Sequence, residues 1–280
     1  MGQALGYLLR ERGEFIAAVA SRSAERAAEA AAFVGGGAKA TAYGELPRHA
    51  SRILIAIADD AIPGVARVLA EAGMHRGAAL HTSGARGPEA LAPLATAGVA
   101  CGTLHPLQTV ANPKEGVRAL PGAAFAIDGE GDAVAWATQI AALLGGPVLR
   151  ISAEARPLYH TAAVLASNYL VALMAAAVML MKEAGVDEPV ALRALAPLAR
   201  TTIENAVELG PAPALTGPVA RGDAATVRAH LAALTQAPAM VARLYRAAGL
   251  VTLDLARRRG LPAATARAIE ELLSRGETHA

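Results

Sequence analysis

The 280-residue sequence has one cysteine, Cys101, which excludes an internal disulfide and any cysteine-rich metal site. Aromatic residues make up only 3% and no Lys/Arg-rich block occurs. The chain therefore lacks both the stacking platforms that hold single strands and the clustered bases that track phosphates, and nucleic acid is not an expected partner. An excess of one charge is also missing, since 26 basic and 24 acidic residues leave a net charge of +2. No H-E-x-x-H, paired metal-ligand spacing, Walker glycine loop or G-x-S-x-G is present, so no metal is expected. The opening residues lack a basic segment followed by a long apolar one. A signal peptide is therefore not expected, and the cytoplasm is the expected compartment.

Apolar residues are what the chain has in quantity, at 54%, and 280 residues suffice for one large or two ordinary domains. Pro157 to Met181 carries no charge and is long enough to span a bilayer. It holds His160, Thr161, Ser167 and Asn168, and no second such segment exists, so a buried helix of a soluble protein is expected rather than a membrane span.

Strand-like and helix-like runs alternate in the first half. Gly2–Leu9 reads as an amphipathic helix stopped by Gly13, and Glu14–Ala20 as a short strand. Strands follow at 51–58, 78–82, 99–104, 123–127 and 148–151, with helices at 61–72, 88–97 and 132–144 between them. This alternation predicts a doubly wound, parallel Rossmann-like sheet. After Ser152 the strand signals stop, and helices are expected at about 154–184, 188–208, 223–248, 250–259 and 263–275, with an irregular loop at 210–218. The expected domains are 1–152, binding a dinucleotide, and 153–280, all helical, for substrate and dimerisation.

A helix that ends in glycine and feeds a short strand is the second half of a βαβ unit, which makes Gly2 a candidate for the last glycine of a G-x-G-x-x-G turn. The first strand is then absent from the sequence, and a start codon further upstream is expected. After the strand ending at Ala20 come Ser21, Arg22 and Ser23, with no acidic residue to hold a ribose 2′-hydroxyl. Arginine and serine suit a 2′-phosphate, so NADP (NADPH) is expected over NAD. Thr82-Ser83-Gly84 and Leu104-His105-Pro106 both follow strands, which places Ser83 and His105 at the carboxyl edge where open α/β sheets bind ligands.

In the uncharged helix residues advance by about 100° each, so Ser167 lies within roughly 40° of His160. The doublets His160-Thr161 and Ser167-Asn168 then line one edge of an apolar rod. An unpaired buried polar group costs about 1–3 kcal/mol, so these need neighbouring partners or a polar cavity. His160, Ser167 and Asn168 are the candidate catalytic residues, with His160 the donor because its free pKa lies near neutrality. Arg221, before a helix capped by Asp223, is a candidate carboxylate contact beside Thr216.

Five stretches carry a family resemblance: Ala58-Asp59-Asp60-Ala61-Ile62, His81-Thr82-Ser83-Gly84-Ala85, Gly102-Thr103-Leu104-His105-Pro106-Leu107-Gln108, Leu158 through Tyr169, and Ala214 through Asp223. Together they resemble the bacterial Rossmann-like proteins whose helical half is a domain of unknown function, relatives of pyrroline-5-carboxylate reductase, ketopantoate reductase, and the 6-phosphogluconate and β-hydroxyacid dehydrogenases. The resemblance implies an NADP-binding domain followed by a helical domain that often builds a homodimer. The β-hydroxyacid relatives place a proton-donating lysine one turn before an asparagine. Here Val164 precedes Asn168 by four, and the only lysines are Lys39, Lys114 and Lys182. The expected function is NADP-dependent reduction of a small C=O or C=N carboxylate, either a ketopantoate-like keto acid or a pyrroline-like imine. The competing reading is a non-catalytic member that binds a metabolite or protein.

Overall fold

A computed structural model describes residues 1–275 and divides the chain into two compact units, Met1–Asn168 and Tyr169 onward. In the first unit, helix α1 (Gly2–Glu11) buries Ala4, Leu5, Leu8 and Leu9 along one stripe and leads to Gly13, whose φ of 90° only glycine adopts freely. Strand β1 (Ala18–Ala20), helix α2 (Ala24–Val34) and strand β2 (Lys39–Thr41) follow, and β1 pairs β2 in parallel. A second sheet has the order β3 (Arg52–Ile55), β4 (Ala78–His81), β5 (Ala100–Pro106), β6 (Phe125–Gly129), β7 (Val148–Arg150). The two sheets share no hydrogen-bonded strand pair, so β1 and β3 each keep an unpaired edge among the described residues.

Helices α3 (Ile62–Glu71), α4 (Ala92–Thr96), α5 (Pro113–Ala119) and α6 (Gly131–Leu143) connect the strands. Alternate residues of β4 feed opposite faces: Ala78 and Leu80 join a core with Leu5, Leu104, Phe125 and Ile140, while Ala79 joins Ile53, Ile62, Leu69 and Leu94. The near-continuous apolar strands are thus explained by cover on both faces. One feature departs from the expected parallel sheet: β5 and β6 run antiparallel, with Thr103 opposite Asp128. Helix α5 packs on α1. It makes no crossover that would return the chain parallel to β5.

The first unit also extends past residue 152 through helix α7 (Arg156–Ala166), whose first turn bonds back to β5 and β6. The single helix expected over 154–184 is two. Ser167, at φ −119° and ψ −73°, interrupts it before α8 (Asn168–Glu183). The angular relation computed from His160 to Ser167 and Asn168 assumes an unbroken helix and does not carry across this residue.

In the second unit, α9 (Glu188–Leu209), the short turns α10 (Pro211–Ala214) and α11 (Pro218–Arg221), α12 (Ala224–Ala233), α13 (Ala239–Arg258) and α14 (Ala263–Ser274) surround Val219, Val227, Leu253, Ile269 and Leu273. The segment expected as irregular loop thus contains two helical turns. The helix expected over 223–248 stops before Pro238, which pushes Ala237 into an extended conformation at ψ 163°. The next helix then runs unbroken through Gly249, where a Cβ would stand 2.9 Å from a methyl of Leu273, so glycine lets α13 lie close on α14.

The uncharged segment is not buried as expected. Arg156–Glu183 is long and apolar enough to cross a membrane, and only 6% of its most apolar window is buried within this chain. Val171, Leu198 and Val207 stand 65–81% exposed on α8 and α9.

Candidate functional site

The carboxyl ends of β4 and β5 hold most of the unusual polar chemistry of the first unit. His81 ends β4, is fully buried, and is bonded at both ring nitrogens: Nε2 lies 2.9 Å from the Gly87 carbonyl, and Nδ1 accepts from the Ser83 backbone N–H at 3.2 Å. This pattern fixes a neutral ring with its proton on Nε2. Burial lowers the His81 pKa, against the pull of the Gly87 carbonyl. The Ser83 hydroxyl, also buried, accepts from the backbone N–H groups of Ala85 and Arg86 and so shapes the loop.

That loop brings Gly84 against two imidazoles. A Cβ on Gly84 would stand 2.7 Å from His105 Nε2 and 2.9 Å from His160 Cδ2. His105 reaches this point from β5, His160 from the first turns of α7, and their ring centroids are 6.5 Å apart. Behind them His105 Nδ1 lies 2.6 Å from the Tyr159 hydroxyl, with the two rings edge to face. Burial, then the neighbouring His160 and Arg156, push the His105 pKa down to about 4, against Asp59. Burial raises the Tyr159 hydroxyl to about 12. Both members of this hydrogen bond are therefore uncharged near neutral pH.

Beneath them lies a buried cation. Arg156 opens α7, is 2% exposed, and donates from Nη2 to Asp128 at 3.0 Å and to the Thr103 hydroxyl at 3.3 Å. Its Nε and Nη1 are buried without a partner among the described residues. A guanidinium left half satisfied in the interior is costly.

The structure brings together Ser83, His105 and His160 from the sequence-predicted set, and adds Tyr159, Arg156 and Asp128. Ser167 and Asn168 lie two turns further along, at the helix break, and their side chains form no hydrogen bond among the described residues. Gly2 starts α1, and a Cβ there would stand 3.0 Å from the Ala56 Cβ, so the helix start packs closely on the end of β3. Ser21, Arg22 and Ser23 follow β1; Ser23 caps α2 through the Arg26 N–H at 3.3 Å, and Arg22 is exposed with no ion-pair partner among the described residues. In the second unit Thr216 and Arg221 are exposed, and Asp223 caps α12 as expected, accepting from Thr226 N at 2.9 Å. That unit also contains an apolar cavity of about 350 Å³ lined by Leu173, Leu180, Val241, Leu244 and Tyr245.

Residues 1–106 match a Rossmann-like domain, and residues 123–252 match a domain of unknown function, DUF2520. The chain thus joins a Rossmann-like domain to a DUF2520 domain. Its fold is that of BF3122 from Bacteroides fragilis, a candidate NADP oxidoreductase, at 26% identity and TM-score 0.72, covering 91% of this chain and 94% of that one. Protein TM1727 from Thermotoga maritima is similar at 24% identity and TM-score 0.72, covering 90% and 95%. The pyrroline carboxylate reductase of Plasmodium falciparum, solved with NADP bound, shares the fold at 11% identity and TM-score 0.61, covering 98% and 95%. No curated protein matches this DUF2520 chain in sequence.

Proposed function

We propose that this DUF2520 protein is a cytoplasmic NADP-dependent oxidoreductase that reduces a small C=O or C=N compound carrying a carboxylate. The observation that carries the reading is the uncharged His105–Tyr159 pair, with His160 beside it, at the carboxyl edge of β4 and β5. The likeness to BF3122 supports the same cofactor class.

Two features present fit that cofactor. Gly2 occupies the position where close helix–strand packing demands glycine in dinucleotide folds, and it does lie against Ala56. Ser21, Arg22 and Ser23 end β1 without an acid, and the free guanidinium of Arg22 suits a 2′-phosphate. When bound, the reduced nicotinamide supplies hydride. The chain's own part is to hold the acceptor, exclude water and deliver a proton at the nitrogen or oxygen that gains electrons. Ser83 shapes the loop that brings Gly84 against His105 and His160, and the two imidazoles border the place of the acceptor. Ser167 and Asn168 remain candidates on the same segment, and Thr216 and Arg221 are candidate anion contacts of the second unit.

The exposed apolar faces of α8 and α9 are covered by a second copy of the chain. A patch of this extent does not stay in water on a monomer, and the run contains polar residues that a lipid-facing helix avoids.

Fluorescence titration tests the cofactor. NADPH is expected to bind more tightly than NADH, and Arg22→Ala to weaken NADPH by roughly 10- to 150-fold while leaving NADH unchanged, the worth of a charge-assisted pair. An equal loss for both would assign Arg22 to folding alone.

A further inference from the structure

Resting on the reductase reading, we infer that this site is built for an uncharged keto acid carbonyl rather than a protonated imine, with the Tyr159 hydroxyl as its proton donor and Arg156 as the buried charge that selects between them. Three observations carry this. Tyr159 makes one close polar contact, to His105 Nδ1 at 2.6 Å, so its oxygen has a donor or acceptor behind it and a second hydrogen-bonding direction to use. Arg156 lies three residues before Tyr159 on the same helix, hence on the same face, and is held in the interior by Asp128 and Thr103 with two nitrogens unpartnered. The carboxylate nearest that cation, Asp128, is already its ion-pair partner and is not free to balance a second positive charge.

The two substrate classes respond oppositely to this arrangement. A carbonyl oxygen starts neutral and becomes negative as hydride reaches its carbon, so a fixed cation and an O–H donor stabilise what develops. An iminium starts positive and becomes a neutral amine, so the same cation opposes its binding. In the carbonyl case a bound reduced nicotinamide would supply the hydride for the new C–H bond, and the C=O π pair would move to oxygen. That oxygen takes the Tyr159 Oη proton, leaving the O–H pair on the phenolate. The phenolate takes the Nδ1 proton of His105 while Nε2 takes up a proton released from bulk solvent, and the ring stays uncharged. The sum is one hydride and one proton added to the carbonyl. Burial is the main cause that keeps His105 neutral; of the titratable groups around it, His160, Arg156 and His81 act in the same direction and Asp59 opposes them.

The test uses the full chain with NADPH. Ketopantoate and α-ketoisovalerate are compared with pyrroline-5-carboxylate as acceptors, and the corresponding products, α-hydroxyisovalerate and proline, are compared for binding to the NADP complex by calorimetry. The expected result is a preference of at least roughly tenfold for keto acids, binding of the hydroxy acid but not of proline, and a loss of about hundredfold or more in kcat for Tyr159→Phe with NADPH affinity unchanged. Reduction of the imine at a comparable rate, proline binding as tightly as the hydroxy acid, or a Tyr159→Phe variant within threefold of wild type would each overturn the inference while leaving the reductase reading intact. Tight NADPH binding with no acceptor reduced would also overturn it. Absence of NADPH binding would remove the reductase reading itself, and this inference with it.

Discussion

Replacing Gly84 by alanine is the smallest change that reaches the centre of the site. The backbone of Gly84 is not in the left-handed region, so alanine brings no torsional penalty and the effect is purely one of space. The new methyl would stand 2.7 Å from His105 Nε2, 2.8 Å from His105 Cε1 and 2.9 Å from His160 Cδ2. The shortest of these is about 0.8 Å inside the roughly 3.5 Å at which non-bonded heavy atoms meet. Neither ring is free to swing away: His105 is tied to Tyr159, and His160 sits on a helix whose first turn is anchored by Arg156. Overpacking of this kind costs about 1–3 kcal/mol, which at roughly 2–4 °C per kcal/mol lowers Tm by about 2–12 °C. The displaced rings should also cost activity, since misplacing a reacting group by about 1 Å loses on the order of hundredfold. Differential scanning calorimetry and NADPH turnover measure the two effects. A Gly84→Ala protein as stable and as active as wild type would show that the rings do not pack on this loop.

Three further expectations follow from the same geometry. Asp128→Asn removes the only charged partner of Arg156 among the described residues and should destabilise the first unit by about 3–5 kcal/mol, read from denaturant unfolding, because an uncompensated buried cation remains. His81 and His105 both titrate below their ordinary values when folded, His105 near 4, so the unfolded chain binds more protons across the window from about 4 to the ordinary histidine value. Stability should therefore rise with pH through that window and level off above it, and histidine NMR should show His105 neutral at pH 6; a His105 midpoint at its ordinary value would contradict the burial argument. Val171→Glu and Val207→Glu should convert a dimer to monomers in sedimentation experiments, and a wild-type chain that is monomeric and fully dispersed without detergent would refute cover by a second copy.

Much of the fold was legible because its signals are local. Continuous apolar runs such as Arg52–Ile55 and Ala78–His81 are strands covered on both faces, Gly13 stops a helix through its φ, and Asp223 caps a helix three residues before its bonded partner. Ser83 and His105 could be placed at the carboxyl edge because the strands before them end there. Pro238 was equally local and was passed over; its effect on Ala237 is a rule of the dipeptide, and it splits a helix that periodicity alone joins.

What tertiary structure alone decided involves residues far apart in the chain. Tyr159 meets His105 across 54 positions and Arg156 meets Thr103 across 53, and nothing in either segment announces its partner. Arg156 in sequence is an ordinary residue before a proline at a helix start; only packing makes it a buried, half-satisfied cation. The direction of β6 against β5 likewise depends on α5 docking on α1 rather than on any strand signal. Composition marked α8 as apolar, but whether such a surface is covered depends on what packs beside it, and within one chain it is left open. Local sequence sets which elements form and where they stop, because backbone torsions and caps act over a few residues. The site depends on which of those elements touch, because a pKa, an ion pair or a steric contact exists only once distant side chains share the same few ångströms.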